Sequence, residues 1–435
     1  MHNPCIRLAA LFCFLAMAGT AHAEGFALYE YSARGVALGG SLMARKPDAS
    51  VVAYNPALMT RLPGIHLMGG VSAIMPDGKM RTTDPVTGRN DTTSLKPSTW
   101  FIPHAYYTQQ LNDKFTVGVG EFSRFGLGFE YPHDWPGRFN IYEVSLKSAS
   151  INPNIAWAAT DKLSLAVGVE FVYVCLDLKK RAQMGIYPSP NPHLGDIEVD
   201  SNIQDAEDVG YGFNVAGHYQ FNDQWAVGLH YRSQVRVRAF GDVQYSYEGY
   251  EGVPTPGGFP TPKQVYDTAF KDGGAHATVI LPDSLAGGIS WTPIPELSIE
   301  VGATWTRWST FRGLNIHLPQ PIGVSENPKH WSDTWRFNVG VEYEPLDWLT
   351  LRAGYVYDES PMTSRYADYL VPTHDRNIYS LGVGFKWDSW TLDVAYAYIQ
   401  PKDRSYSYSA ETHVLDSKTK DTSTNIISVS LGYEF

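Results

Sequence analysis

Residues 420–435 read KDTSTNIISVSLGYEF. From Ile427 onward every second side chain is apolar, so Ile427, Val429, Leu431, Tyr433 and Phe435 fall on one face and the stretch closes on an aromatic ring. Successive side chains of an extended strand point to opposite faces, so this spacing predicts a strand with one wholly apolar side. A soluble antiparallel sandwich also alternates. A last strand of this composition, however, resembles the signal by which outer-membrane barrels are recognised for assembly, and Phe435 is then the expected contact of the assembly machinery.

The same period of two runs back to Ile65. About fourteen segments carry it, near 64–76, 99–111, 114–131, 144–160, 162–181, 207–221, 224–241, 275–292, 296–308, 332–344, 347–358, 376–387, 389–402 and 420–435. Tight turns (Asn112-Asp113, Asp161, Asn222-Asp223, Pro293 to Pro295, Pro345 to Asp347, Asp388-Ser389) alternate with long polar loops. Transmembrane barrels show this asymmetry of short periplasmic turns and long external loops. Rings at strand ends, among them Trp157, Trp225, Trp348, Trp387 and Trp390, suit a membrane–water girdle. The expected fold is all-β, a transmembrane antiparallel barrel of about fourteen strands over residues 64–435.

Composition agrees. The chain holds 12 Trp, 27 Tyr and 39 Gly, and its mean hydropathy is −0.24. Residues 1–23 carry Arg7, the apolar run Leu8 to Ala18 and the small-x-small site Ala21-His22-Ala23, which together read as a signal peptide. Cys13 lies inside the apolar run rather than after it, against a lipoprotein, and Cys175 is the sole cysteine beyond the signal. Past the signal no apolar run reaches the eighteen or so residues of a spanning helix. A net charge of −11 gives no basic footprint for nucleic acid.

Residues 24–63 do not alternate. They offer short helical fragments and glycines (Gly25, Gly35, Gly39, Gly40), with Asn55 placed to cap a helix, Pro56 suited to its first position and Leu62-Pro63-Gly64 to stop it. An apolar segment just ahead of the first strand can fold back into a barrel as a hatch, with Phe26 and Leu28 plugging the cavity.

No enzymatic constellation emerges. The 13 histidines lack metal-ligand spacing, and there is neither a phosphate-binding glycine loop nor a Gly-x-Ser-x-Gly elbow. No cofactor is expected. A barrel lipase would need an outward Ser–His pair, and the outward polar residues Glu121 and Ser123 have no outward histidine near them in sequence. A general porin for polar solutes would keep its lumen polar, whereas Ala166, Gly168, Val172, Val174, Leu176, Leu178, Ala395, Ala397 and Ile399 face inward here. Between them stand inward arginines, read as Arg232, Arg236, Arg238, Arg336 and Arg352, which suit the carboxylate of an amphipathic ligand. Alternatively they form ion pairs with acids such as Glu170 and Glu342. The aromatics of external loops 182–206 and 242–274 suit either a capture surface or mutual packing.

The stretches Phe26 to Glu30, Ser32, Gly35, Ala37, Asn55 to Leu58, Phe122 to Glu130, Leu281 to Ser284, Trp305 to Trp308 and Tyr355 to Pro361 resemble, in order and spacing, the FadL family. The resemblance implies a monomeric outer-membrane transporter of long-chain fatty acids or other hydrophobic compounds, gated by the hatch and driven by diffusion. It also implies that a kinked third strand opens the wall beside Asn55, Pro56 and Ala57. The residues support such a kink independently. Phe115, Val117, Val119, Phe125, Leu127 and Phe129 share one phase, which would leave Glu121 and Ser123 facing lipid, so regular pairing is expected to break between Gly120 and Gly128, where Gly126 also lies.

Overall fold

The computed structural model describes residues 25–185, 196–247, 261–372 and 374–435; the expected signal peptide lies outside them. Fourteen antiparallel strands close into a barrel. They are β1 (Ile65–Thr83), β2 (Trp100–Gln110), β3 in two pieces (Phe115–Phe122 and Leu127–Glu130), β4 (Glu143–Ala158), β5 (Leu163–Gly185) and β6 (Asp196–Gln220). β7 (Trp225–Arg232, Val235–Ser246) and β8 (Gly273–Leu281, Ser284–Ile294) are likewise split. β9 (Leu297–Thr306), β10 (Thr334–Leu346), β11 (Leu349–Asp358), β12 (Arg376–Trp387), β13 (Trp390–Pro401) and β14 (Asp416–Glu434) complete the wall. β14 returns to β1 from His66↔Glu434 to Thr83↔Asp416, and this closure removes the free sheet edges.

The turn chemistry repeats. Asn112 Oδ1 accepts from the amides of Lys114 (2.9 Å) and Phe115 (3.0 Å), and Asn222 Oδ1 accepts from those of Gln224 and Trp225 (2.9 Å each). Both asparagines thereby cap the hairpin that starts β3 or β7. Just above these turns the rings of Trp157, Trp225, Trp348, Trp387 and Trp390 stand exposed on the outside, and Trp225 stacks on Trp291 at 5.7 Å. Val167, Val169 and Phe171 of β5 also face out, while Ala166, Val172, Val174, Leu176 and Leu178 are buried toward the lumen.

Three strands change face partway up. β7 and β8 break at one level, between the pairs Arg232↔Ser284 and Val235↔Leu281, leaving Ser233-Gln234 and Pro282-Asp283 outside the ladder. Below the break Ala226, His230 and Arg232 point inward; above it Val235, Val237 and Ala239 do. This corrects the sequence reading of Arg236 and Arg238, which stand exposed on the outer wall. An unbroken period of two puts Arg232, Arg236 and Arg238 on one face, and an interruption of the ladder reverses every side chain beyond it. Pro282, which cannot donate to a ladder, was the available signal.

The N-terminal segment packs inside the barrel as α1 (Ala33–Ala37), α2 (Val51–Tyr54) and a 3-10 turn (Pro56–Arg61). Ser32 Oγ accepts from the Gly35 amide at 3.0 Å, and Asn55 Oδ1 from the Ala57 amide at 3.1 Å, with Pro56 opening the turn. The hatch backbone lies against the wall where strands carry glycine. A Cβ on Gly228 of β7 would sit 1.9 Å from the Met43 carbonyl oxygen, so only glycine lets the two backbones meet.

Candidate functional site: the hatch tip and the broken wall

β3 pairs with β2 from Gln110↔Thr116 to Ala105↔Glu121 and stops. Its pairing with β4 ends at Phe122↔Ser150 and resumes with shifted register at Leu127↔Leu146. Trp100 to His104 of β2 therefore pair only with β1, leaving a gap in the ladder between β2 and upper β3. The freed backbone of residues 124–126 turns to the hatch. Leu28 N donates to Arg124 O at 2.8 Å, Gly126 N donates to Phe26 O at 3.0 Å, and Ala27 forms a lone antiparallel bridge with Phe125. The Trp100 ring lies on Gly128, where a Cβ would be 2.2 Å from it.

The Phe26 side chain enters an aromatic box. Its ring lies 5.8 Å from Phe125, 4.8 Å from Trp308, 5.6 Å from Phe311 and 5.9 Å from Trp331, centroid to centroid. The indole N–H groups of Trp308 and Trp331 are buried with no acceptor among the described residues. Next to the box a cavity of about 50 Å³ is lined by Leu28, Tyr31, Arg124, Arg232 and Arg336, among others. Glu170 serves two of these cations, at 2.8 Å from Arg124 and 3.2 Å from Arg232. Arg232 also donates to Ala53 O of the hatch at 2.8 Å, and Arg336 lies over the Tyr29 ring at 4.7 Å.

Toward the tight turns the lumen is a charged seam. Glu342 holds Arg34 of the hatch and Arg352, each at 2.7 Å, and Arg352 reaches Asp393 at 2.5 Å. Glu300 accepts from the amides of Met43 (2.7 Å) and Ala44 (2.9 Å). Two cavities, of about 350 and 290 Å³, flank this seam and share Lys46 and Arg61 in their lining.

The residues singled out from sequence thus separate. Phe26, Leu28, Gly126 and Gly128 meet at the broken wall, with Arg232 and Arg336 beside it, while Arg352 belongs to the lower seam. Ser123 is buried, its hydroxyl donating to Ser148 O at 2.6 Å, and Glu121 is half-exposed, in register between Ala105 and Ile151. Ala57 shares an apolar cluster with Phe122, but Asn55 points elsewhere, its Nδ2 donating to Met43 O (2.7 Å) and Gly217 O (3.2 Å). The hatch residues at the break are thus Phe26, Ala27 and Leu28. Sequence reasoning missed Trp100, Arg124, Phe311 and Trp331; Arg124 alone had a signal, its place where the phase of β3 fails. The external loops are shorter than read from sequence, because β5 runs to Gly185, β6 starts at Asp196 and β7 runs to Ser246, where main-chain pairing outlasts the apolar alternation. Tyr245 of β7 and Tyr266 pack on Phe270 at 5.3 and 6.1 Å, whereas Ile186, Tyr187, Pro188, Tyr250, Val253 and Phe259 lie outside the described residues.

Comparison with known proteins agrees with this architecture. The chain is 27% identical over 429 residues to outer membrane protein P1 of Haemophilus influenzae, covering 89% of this chain and 88% of that protein. It is 24% identical to the long-chain fatty acid transport protein of Escherichia coli strain K12, covering 87% and 88%. Among solved structures, a Pseudomonas aeruginosa FadL homologue superposes with a TM-score of 0.82 at 19% identity, covering 95% of this chain and all of that one. The Pseudomonas putida toluene transporter TodX gives 0.72 at 18%, covering 94% and 99%. Residues 14–435 match the description "outer membrane protein transport protein (OMPP1/FadL/TodX)", and the chain belongs to that family of outer-membrane transporters.

Proposed function

We propose that the protein carries long-chain fatty acids, or amphipathic molecules of similar build, inward by diffusion and releases them sideways through the gap above Phe122. The observation that carries this reading is the exchange of partners at the break: β3 gives up β2 and takes Phe26 to Leu28 of the hatch instead. A hatch tip held by two backbone hydrogen bonds and one ring can leave without disturbing the barrel ladder. Its departure would vacate an aromatic box for an alkyl chain, beside Arg124 and Arg232, two guanidinium groups that share the single carboxylate of Glu170. That local excess of positive charge suits a carboxylate head, which binds guanidinium through charge-assisted hydrogen bonds. Asn55, Pro56 and Ala57 then anchor the hatch rather than move with its tip. Phe435 remains the proposed contact for barrel assembly, and the monomer the proposed working unit.

The test is a lock. In a Cys175→Ser background, Ala27→Cys with Phe125→Cys places two cysteines on bridged backbone positions, within the span a disulfide requires. Uptake of labelled oleate by cells expressing this variant should stop on oxidation and return on reduction, with Phe125→Ala as the control for ring loss. Uptake that ignores the lock rejects the sideways route. Swelling of liposomes in sugars, for the wild type, would instead support a general porin.

A further inference from the structure

The arginines displaced from the lumen reading point to a second site. We infer that the outer wall around upper β7 and β8 binds the phosphate-bearing headgroup of an outer-leaflet lipid. Arg236, Arg238 and Arg312 are all exposed, and none has a carboxylate partner among the described residues. The lumenal arginines Arg34, Arg124, Arg232 and Arg352, by contrast, are each paired with an acid.

Arg312 lines a groove of about 750 Å³ between β8 and the segment 310–330, and Arg236 and Arg238 stand on the adjoining strand β7. Ile280 and Thr278, the register partners of Arg236 and Arg238, form its strand side, and Arg312, His317 and His330 its other side. Beside it runs a rail of rings: the Arg238 guanidinium lies 5.0 Å from the Phe240 ring, Phe240 stacks on His276 at 5.6 Å, and His276 stacks on His317 at 4.5 Å. Glu326 is the one carboxylate among the groove's lining residues. On the neighbouring strand, the Glu207 carboxylate accepts from the Tyr173 hydroxyl.

Height selects the ligand. Arg236 lies eleven positions beyond the girdle residue Trp225. At ~3.3 Å per residue and a tilt of ~40°, it stands ~28 Å above that girdle, against an apolar band ~25 Å tall. The cations thus sit at the headgroup level of the outer leaflet, with exposed Tyr211 and Leu229 at or below them for acyl chains. A basic groove at that depth meets lipid phosphates before any solute.

The experiment uses the full chain in a zwitterionic detergent, titrated with diphosphoryl lipid A and followed by native mass spectrometry. Wild type should hold lipid A and not phosphatidylcholine. Each single change, Arg236→Gln, Arg238→Gln or Arg312→Gln, should weaken binding about fivefold, and the triple variant roughly a hundredfold. The triple variant Lys114→Gln, Lys162→Gln and Lys386→Gln alters net charge equally at the opposite end and should bind as wild type. Heat-modifiable migration on gels confirms that each barrel is folded. Equal loss in both triples, no loss in the arginine triple, or equal retention of phosphatidylcholine would each overturn the assignment.

Discussion

Phe26→Ala is the sharpest probe of the hatch. The tip is held to β3 by two backbone hydrogen bonds and by a ring in contact with Phe125, Trp308, Phe311 and Trp331. Truncating a fully packed phenylalanine costs about 3–5 kcal/mol, and the two hydrogen bonds contribute about 2 kcal/mol together. Against these stands the ordering of residues 26–28, at about 1–2 kcal/mol each. The wild-type tip is therefore closed by roughly 2 kcal/mol, which is an open population of a few per cent. Without the ring the balance reverses by about 3–5 kcal/mol, and the open tip becomes the major state. The assay is maleimide labelling of Ala27→Cys in a Cys175→Ser background, with and without Phe26→Ala. Labelling should rise at least tenfold while the barrel keeps its heat-modifiable migration, since Phe26 takes no part in the ladder. An unchanged rate would show that the ring does not hold the gate.

Gly228→Val should unseat the hatch, because the Met43 carbonyl oxygen occupies the space a side chain needs; single-channel conductance should rise from near zero, and a silent barrel would contradict the close approach. Asn55→Ala removes the cap on Ala57 and the bonds to Met43 and Gly217, so the hatch should lose about 2–4 kcal/mol and exchange its amides faster than the wall. Acid should loosen the external loops at Asp375. Burial pushes this carboxyl up, but the hydrogen bonds from His374 and Lys402 outweigh that and hold it below its ordinary value of 3.8. A depressed carboxyl stabilises fully above pH 3.8 and loses that contribution as pH falls through the lower folded value. Proteolysis of the loops that accelerates already near pH 6 would refute the assignment.

Strand number and hatch position were legible because both rest on local rules. Period-two alternation, Asn turns and a capped Asn-Pro start each act within a few residues, and each appears in the structure, although β1 (Ile65–Thr83) and β6 (Asp196–Gln220) run well beyond the stretches 64–76 and 207–221 read for them. The arginines show where such rules stop. Arg232 and Arg352 are inward because their strands are unbroken up to those positions, whereas Arg236 lies beyond a break produced by two strands acting together. Nothing in Ser233-Gln234 alone requires an interruption; Pro282 of the neighbouring strand sits level with it. The aromatic box was illegible for a different reason. Phe26, Phe125 and Trp331 are distant in sequence, and only closure of the barrel brings their rings together.

The two ways out of the hatch region differ in what they ask of an alkyl chain. Downward, the chain meets Arg34, Glu342, Arg352 and Asp393, all committed to one another in short ion pairs, and beyond them cavities whose walls carry further charged side chains, among them Lys46 and Arg61. Transfer of an alkyl chain from an apolar site into such surroundings costs about 0.8 kcal/mol per methylene, or on the order of 12 kcal/mol for sixteen carbons. Breaking the seam would add the cost of uncompensated buried charges. Sideways, past Phe125 and Gly128, the next environment is hydrocarbon and the transfer term is near zero. A cost of that size slows passage by roughly nine powers of ten, far more than the few kcal/mol that hold the hatch tip in place. On the proposed sideways route, then, an apolar cargo would need only residues 26–28 to swing away from β3, while the ion-paired body of the hatch stays seated.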